Sequence, residues 1–263
     1  MSNVYNNNII SMINIKTIEK KIYSQHGEDG IINFLSLNLT KSSNYFVEIG
    51  CGNGAENNSR NLLHNNWVGL VCDNYKNIYL YTNLIKNKIK EEQFNSLAGL
   101  IDLDNINNLI NLIKNKDIAF LSLDIDSYDF FILKELFEYK IYPKILCLEY
   151  NCFLTSTTSV KYSKNFNRRT YDPQYGLFYG CSLGAYKALC EKHGYFFFSV
   201  ETSGTNAFFV LKNNFSYKIK NITKVDFLYN EYYIKKNNLA AKKLEEYLLN
   251  NFDKDLIDIK GII

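Results

Sequence analysis

Residues 45–54, Tyr-Phe-Val-Glu-Ile-Gly-Cys-Gly-Asn-Gly, decide the fold of this chain. Their first half, Tyr45–Ile49, is mostly apolar and aromatic and predicts a buried β-strand. Three alternate glycines follow it, at Gly50, Gly52 and Gly54. Glycines between a strand and a helix allow a sharp turn and let the backbone approach a ligand closely. The stretch therefore predicts a nucleotide-type cofactor site at the end of the first strand of an α/β sheet.

Outward from this loop, apolar runs alternate with segments of helical periodicity. The predicted strands are Tyr45–Ile49, Trp67–Asp73, Phe94–Ile101, Ile118–Leu123, Lys144–Tyr150, Tyr195–Val200 and Ala207–Leu211. The predicted helices are Asn57–His64, Ile78–Ile89, Asp104–Lys114, Tyr128–Tyr139 and Leu183–His193. This alternation favours an α/β fold: a Rossmann-like, doubly wound, mostly parallel seven-stranded sheet with helices on both faces. Ser203-Gly204-Thr205 predicts a turn that makes the last two strands a terminal antiparallel hairpin.

The chain divides into a core and small helical additions. We expect an N-terminal helical segment, 1–43, that covers the cofactor site, and a core at 44–212. Within the core, 151–182 has many aromatic residues but no periodicity. Long loops in compact domains are usually functional, so this insertion is predicted to be a lid over the substrate. The remainder, 213–263, is predicted to be a helical appendage with a helix near Leu239–Leu249.

The composition of the chain limits the kinds of partner that it is expected to bind. The 263 residues carry a formal net charge of +3, which is too small to favour a nucleic-acid surface. Neither a signal peptide nor an apolar stretch long enough to span a membrane is evident, so we expect a cytoplasmic protein with no membrane span. The six cysteines form no CxxC pair and are expected to be reduced thiols. A homodimer is compatible with these features.

The glycine loop itself discriminates between cofactors. Ala55 and Glu56 follow Gly54, so the GxGxxG spacing of a dinucleotide site is missing. Glu48 precedes the loop and would suit a cationic cofactor such as S-adenosyl-L-methionine (SAM) better than a pyrophosphate. Asp73, at the end of the second strand, could accept hydrogen bonds from ribose hydroxyls. The expected cofactor-binding residues are Glu48, Gly50, Gly52, Gly54, Asn58, Asp73, Asn74, Asp102 and Asp124.

Several motifs together resemble a known family. They are Ser24–Gly30, Phe46–Gly50, Asn58-Ser59, Trp67–Leu70 with Asp73, Asp124–Asp129, Leu148–Asn151 and Gly204–Phe209. Over roughly residues 22 to 211 the chain resembles FkbM-like class I SAM-dependent methyltransferases. The resemblance implies O-methyl transfer to a surface polysaccharide or a secondary metabolite, and of these we expect a carbohydrate acceptor. The arginine pair at Arg168 and Arg169 adds a phosphate-bearing precursor of a surface polysaccharide, such as a nucleotide-linked or phosphoramidate-type precursor, to the expected acceptors.

Acidic side chains at the carboxyl ends of strands are the candidates for catalysis, because ligands of parallel sheets lie there. Asp126 and His26 are candidate general bases, and Glu149 is a third catalytic candidate. Asp126 would equally suit a helix cap, and His26 a loop hydrogen bond. Asp124, Glu149 and Asn151 together offer oxygen ligands that would suit Mg²⁺.

The acceptor is predicted to be anionic, because Arg168 and Arg169 are adjacent in the insertion and guanidinium groups bind phosphate or carboxylate. A solvated surface pair is the alternative. The expected substrate-binding residues are Arg168, Arg169, Tyr128, Asn151 and Tyr171. Three other functions stay open: an N-methyltransferase, a NAD-dependent oxidoreductase, and a non-catalytic partner subunit.

Overall fold

The computed structural model describes residues 13–40, 43–154, 156–163, 178–215 and 256–263. The strands are β1 Tyr45–Ile49, β2 Val68–Asp73, β3 Phe94–Ala98, β4 Ile118–Leu123, β5 Ile145–Glu149, β6 Thr158–Val160, β7 Tyr195–Val200, β8 Asn206–Leu211 and β9 Leu256–Asp258. The α-helices are α1 Ile15–Ile18, α2 Glu28–Leu37, α3 Arg60–His64, α4 Tyr75–Ile85, α5 Ile106–Ile113, α6 Asp129–Glu138 and α7 Leu183–Lys192.

Seven strands form one sheet in the order β3-β2-β1-β4-β5-β8-β7. The pairs from β3 through β5 are parallel, whereas β8 runs antiparallel to both β5 and β7. Ser203-Gly204-Thr205 lies in the turn between β7 and β8, as predicted. The fold is therefore the expected Rossmann-like α/β fold, with a mostly parallel sheet and an antiparallel edge.

Helices cover both faces of the sheet. One hydrophobic cluster joins α5, α6 and α7 to the sheet through residues such as Leu109, Leu133 and Leu189. A second cluster joins α2, α3 and α4 to the other face, through residues such as Ile31 and Leu62. Because both faces are covered, the central strands are mostly apolar, and all six residues of β4 are buried.

Several boundaries differ from the predictions. Helix α3 begins at Arg60 instead of Asn57, because Asn57–Ser59 form a turn around the Glu48 carboxylate. Strand β3 ends at Ala98, since Gly99 has a φ of +133° and leaves the extended conformation. The start and end of most other elements lie within a few residues of the predicted ones.

The N-terminal addition, expected to be helical, contains the helices α1 and α2, and the C-terminal addition differs from its prediction at its described end. The described end of the chain forms β9, which pairs antiparallel with β6, followed by a short 3₁₀ helix at Ile259–Gly261, where a helical appendage was expected. Two strands of three residues each are too short for any periodicity to reveal them. The predicted helix near Leu239–Leu249 lies outside the described residues. Among the residues described, no helix has the length and apolar character needed to span a membrane.

Candidate functional site

A cavity of about 400 Å³ lies at the carboxyl ends of β1, β2 and β4. We call it the glycine-loop cavity. Its walls are the loop after β1, the end of β2, residues 99–101 after β3, and the loop after β4. The predicted site residues in its lining are Gly50, Gly52, Asp73, Asn74, Asp124 and Asp126. Its size is within the usual range for a small-molecule site.

Glycine is required at two positions of the loop. Gly50 has a φ of +88°, and a Cβ there would lie 1.5 Å from the backbone oxygen of Asp124. The backbones after β1 and β4 therefore pass in direct contact. Gly52 has a φ of +58°, and nothing lies within 4 Å of the position of its missing Cβ. Its backbone is thus open to a ligand in the cavity.

The Asp73 carboxylate is fixed by hydrogen bonds at the cavity wall. Its Oδ2 accepts from the backbone N–H of Gly52 at 2.7 Å. Its Oδ1 accepts from the backbone and side chain of Asn74, at 2.6 and 2.8 Å, and from Asn77 Nδ2 at 2.9 Å. Since a carboxylate oxygen has two lone pairs, Oδ2 can accept one more hydrogen bond, from a ligand hydroxyl.

Glu48, expected to contact a cofactor, does not line the glycine-loop cavity. Its buried carboxylate accepts hydrogen bonds from Asn57 Nδ2, from the backbone N–H of Asn58, and from both the backbone and the hydroxyl of Ser59. Burial raises the pKa of Glu48 to about 7, and these hydrogen bonds oppose the rise. Glu48 thus holds the turn that leads into α3.

Three other residues predicted to contact the cofactor also lie outside the cavity lining. Asn58 donates from its side chain to Ser122 Oγ at 2.9 Å. Asp102 Oδ1 accepts from the backbone N–H groups of Asp104 and Asn105 before α5. Gly54 packs against the Tyr81 ring, 2.2 Å from where its Cβ would be. These residues shape the loops around the cavity.

Three acidic residues meet beside the cavity. Carboxylate oxygens of Asp124, Asp126 and Glu149 all lie within 4.8 Å of one another. Burial, followed by the charge of Asp126, raises the pKa of Asp124 to about 7. Burial and the charge of Asp124 raise the pKa of Glu149 well above its ordinary value. Asp124 and Glu149 are hydrogen-bonded side chain to side chain, so near neutral pH this pair retains a proton.

The loop that carries Asp126 has a defined shape. Asp126 is exposed and has a φ of +54°, in the left-handed region that Asp tolerates better than most residues. Asp129, at the start of α6, accepts hydrogen bonds from the backbone N–H groups of Ile125 at 2.8 Å and Ser127 at 3.0 Å. These bonds, on either side of Asp126, hold it at the cavity. No side-chain hydrogen bond from the described residues caps the start of α6, so the capping role that the sequence had left open for Asp126 is not observed, and Asp129 stabilises the preceding loop.

Other predicted residues have different surroundings. Asn151 is buried; it donates to the backbone oxygen of Tyr179 and accepts from the N–H of Phe153, so its amide stabilises a turn. Tyr128 is buried and donates to the Ile101 backbone oxygen at 3.4 Å. His26 lies away from the glycine-loop cavity, with Nε2 3.5 Å from Thr205 Oγ1. Arg168, Arg169 and Tyr171 are outside the described residues.

Buried acids that hold loops near the site have roles that the sequence did not reveal. Glu201 accepts hydrogen bonds from the backbone N–H groups of the whole turn from Ser203 to Asn206. Asn206 is paired in register with Glu149 and donates its side-chain N–H to Glu28 at 2.8 Å. Asp29 Oδ2 accepts from the backbone of residues 22–24. An acid directly before Thr-Ser-Gly-Thr was the available signal for Glu201.

Neither a family model nor a curated protein sequence matches the chain. Solved structures similar to it include an O-methyltransferase from Bacillus cereus in complex with S-adenosylhomocysteine (SAH), at 14% identity and a TM-score of 0.46, covering 75% of this chain and 86% of that one. A protein proposed to be an O-methyltransferase from Nostoc punctiforme has 11% identity and a TM-score of 0.44 over 70% of this chain and 54% of that one. The protein WbdD has 14% identity and a TM-score of 0.41 over 63% of this chain and 35% of that one.

This chain therefore spans about half the length of the Nostoc protein, at 54%, and about a third of WbdD, at 35%. At such low identity these similarities do not establish an activity for the chain. Its function has to be inferred from its own residues.

Proposed function

We propose that the chain binds SAM in the glycine-loop cavity and transfers its methyl group to an acceptor oxygen. The observation that carries the proposal is the charge of the cavity. Glu56, Asp73, Asp124 and Asp126 line it, and no Lys, Arg or His is among the described residues of its lining. An acidic cavity favours a ligand with a cationic centre and disfavours a pyrophosphate. This argues against the NAD-dependent alternative.

The residues in the cavity fit SAM at both of its polar ends. Asp73 Oδ2 has room for a hydrogen bond from a ribose hydroxyl, and the open backbone at Gly52 allows close approach of the ligand. Ile101 and Leu100 supply apolar surface on the wall beyond Asp73, where a base would pack. Asp124 and Asp126 supply negative charge on the opposite side, suited to an amino group or a sulfonium.

Asp126 is the residue we assign as general base. Bound SAM supplies a methyl group on a positively charged sulfur, and this methyl becomes bonded to the acceptor oxygen while the sulfur retains the electron pair of the broken bond. The hydroxyl proton of the acceptor passes to the Asp126 carboxylate, which is exposed at the cavity. Asp124 and Glu149, holding a proton between them, limit the negative charge that accumulates beside it.

The acceptor that we propose is a carbohydrate or a phosphate-bearing sugar precursor. This assignment rests on the resemblance of the sequence motifs. An exposed base after the carboxyl end of β4 agrees with an alcohol as acceptor, because an alcohol needs help with proton removal and an amine needs less. The kcat of an N-methyltransferase would depend far less on Asp126, and this difference distinguishes the two proposed activities.

One observation favours a metal-assisted variant of the same reaction. Asp124, Asp126 and Glu149 present three carboxylates within 4.8 Å, which is a donor set that Mg²⁺ accepts. Asn151, the third ligand expected from the sequence, is replaced in this set by Asp126, since its amide oxygen accepts from Phe153. Transfer that ceases with EDTA and returns with Mg²⁺ would support this variant, and transfer unaffected by EDTA would exclude it.

The test is methyl transfer from labelled SAM to a panel of neutral, phosphorylated and amino sugars, with Asp126→Asn as the variant and Asp104→Asn as the control. Asp104 is exposed and does not line the cavity. We expect Asp126→Asn to lower kcat by about 10²-fold or more, the usual contribution of a general base, and to weaken SAM binding by a much smaller factor, because one of the acidic side chains of the cavity loses its charge. An unchanged kcat would refute the role of Asp126, and transfer only to amines would indicate an N-methyltransferase.

A further inference from the structure

A second cavity, of about 510 Å³, lies on the other side of the site. Its walls are residues 19–21 and His26-Gly27 of the N-terminal segment, and Thr202-Ser203 of the turn between β7 and β8. We call it the basic cavity. None of these residues lines the glycine-loop cavity.

The charge of the basic cavity is opposite to that of the glycine-loop cavity. Lys20 and Lys21 line it, together with the imidazole of His26. Its one lining acid, Glu19, accepts hydrogen bonds from both the backbone N–H and the hydroxyl of Thr202. Lys20 is exposed and forms no ion pair with any residue that the structure describes. Its ammonium group is therefore available to an anion.

The backbone that presents Lys20 is held in place. Its N–H donates to the Gly27 oxygen at 3.2 Å, and its oxygen accepts from the Gly30 N–H at 3.1 Å. A Cβ on Gly30 would lie 2.0 Å from the Ile18 oxygen, so the two segments are in direct contact. The basic cavity is thus framed by fixed backbone, which favours specific binding over a loose surface encounter.

Two contacts join the basic cavity to the catalytic region. Lys21 forms a 3.0 Å ion pair with Glu56, and Glu56 lines the glycine-loop cavity. The Thr205 oxygen accepts from the N–H of Tyr150, the residue after Glu149, and Thr205 Oγ1 lies 3.5 Å from His26. These contacts connect the walls of the basic cavity to Glu56 of the glycine-loop cavity and to the end of β5, which carries Glu149.

We propose that the basic cavity binds an oxyanionic group of the acceptor, a phosphate or a carboxylate, while the acceptor hydroxyl reaches Asp126. This inference rests on the proposed function and names the charge of its substrate. Lys20 is the residue that recognises the anion, and His26 binds with it; His26 is thus assigned to acceptor binding and not to proton removal. The two cavities differ in charge, so the cationic cofactor is attracted to one and the anionic group of the acceptor to the other.

The test is calorimetric titration of the full chain, first with SAH and then, in the presence of saturating SAH, with glucose 1-phosphate, glucuronate and glucose as probes. The variant is Lys20→Glu and the control is Lys16→Glu, an exposed lysine of α1 outside the basic cavity. We expect at least one anionic probe to bind and glucose not to bind. Lys20→Glu should lower the affinity for the anionic probe by about tenfold or more, and Lys16→Glu should lower it by about twofold at most.

Binding of glucose 1-phosphate but not of glucuronate would identify the recognised anion as a phosphate. The reverse result would identify it as a carboxylate. SAH binding without binding of either anionic probe would overturn this inference and leave the proposed function standing. Anion binding that is equally strong in Lys20→Glu, with circular dichroism showing a folded variant, would also overturn it. Anion binding without SAH binding would overturn the proposed function, and with it the assignment of the anion to an acceptor.

Discussion

Replacing Glu149 with glutamine should stabilise the protein at alkaline pH. Burial and the charge of the neighbouring Asp124 raise the pKa of Glu149 well above its ordinary value. An acid with a raised pKa in the folded state stabilises the fold only while it keeps its proton, so stability falls as the pH rises above the pKa that Glu149 has in the unfolded chain. A glutamine amide donates a hydrogen bond to Asp124 without needing that proton and removes one negative charge, so this fall should be smaller in the variant.

The size of the effect is set by Glu149, because glutamine removes its titration and leaves in place the burial and the Asp126 charge that raise the pKa of Asp124. One pKa unit corresponds to about 1.4 kcal/mol. We therefore expect the variant to be more stable than the wild type by about 1–2 kcal/mol near pH 8.5, with a smaller difference near pH 5.5.

The assay is urea unfolding at both pH values, with Glu92→Gln as the matched control. Glu92 is exposed before β3, near the opposite edge of the sheet, and its replacement should leave the pH dependence unchanged. Parallel pH profiles for the wild type and Glu149→Gln, or a variant less stable at alkaline pH, would refute the protonated pair.

Three further predictions concern the loops of the cavity. Asp73→Asn should lower the affinity for SAH about tenfold to a hundredfold in a calorimetric titration, because the charged acceptor for a ribose hydroxyl is lost. An unchanged affinity would exclude Asp73 from the cofactor site. Gly50→Ala should lower the free energy of unfolding by more than about 2 kcal/mol in urea, since its Cβ would lie 1.5 Å from the Asp124 oxygen; a stability equal to wild type would contradict that contact. Glu48→Ala should lower the free energy of unfolding by about 2–4 kcal/mol in the same assay, because the N–H groups of the turn at Asn57–Ser59 lose their acceptor. A variant of full stability that binds SAH less tightly would instead show that Glu48 is a cofactor ligand.

The parallel core was predictable from the sequence because its strands are buried on both faces. Tyr45–Ile49 and Ile118–Leu123 are apolar runs with no competing interpretation, and their predicted and observed bounds coincide. The start of α3 was not predictable in the same way. Asn57 and Ser59 suit a first helical turn locally, and only the tertiary contact with Glu48 takes them out of it. The β6–β9 pair depends on residues almost a hundred positions apart in sequence, which no local pattern records.

The sequence predicts those residues of the candidate site that lie at the carboxyl ends of strands, because ligands of parallel sheets bind there. Asp73, Asp124 and Asp126 follow strands and line the cavity, as that logic requires. The position of an acid at a strand end does not tell whether its side chain faces the cavity or stabilises a loop. Glu48 is in the sequence as close to the glycine loop as a ligand would be, yet its side chain points into a turn. That distinction depends on side-chain direction within β1, which the sequence does not fix alone.

The most direct test of the central claim is calorimetric titration of the purified chain with SAH, with NAD⁺ as the comparison ligand. The acidic lining of the glycine-loop cavity predicts saturable binding of SAH, weakened by Asp73→Asn, and no binding of NAD⁺. Binding of NAD⁺ without SAH would contradict the account, because it would mean that a pyrophosphate is accepted by a cavity lined with four carboxylates.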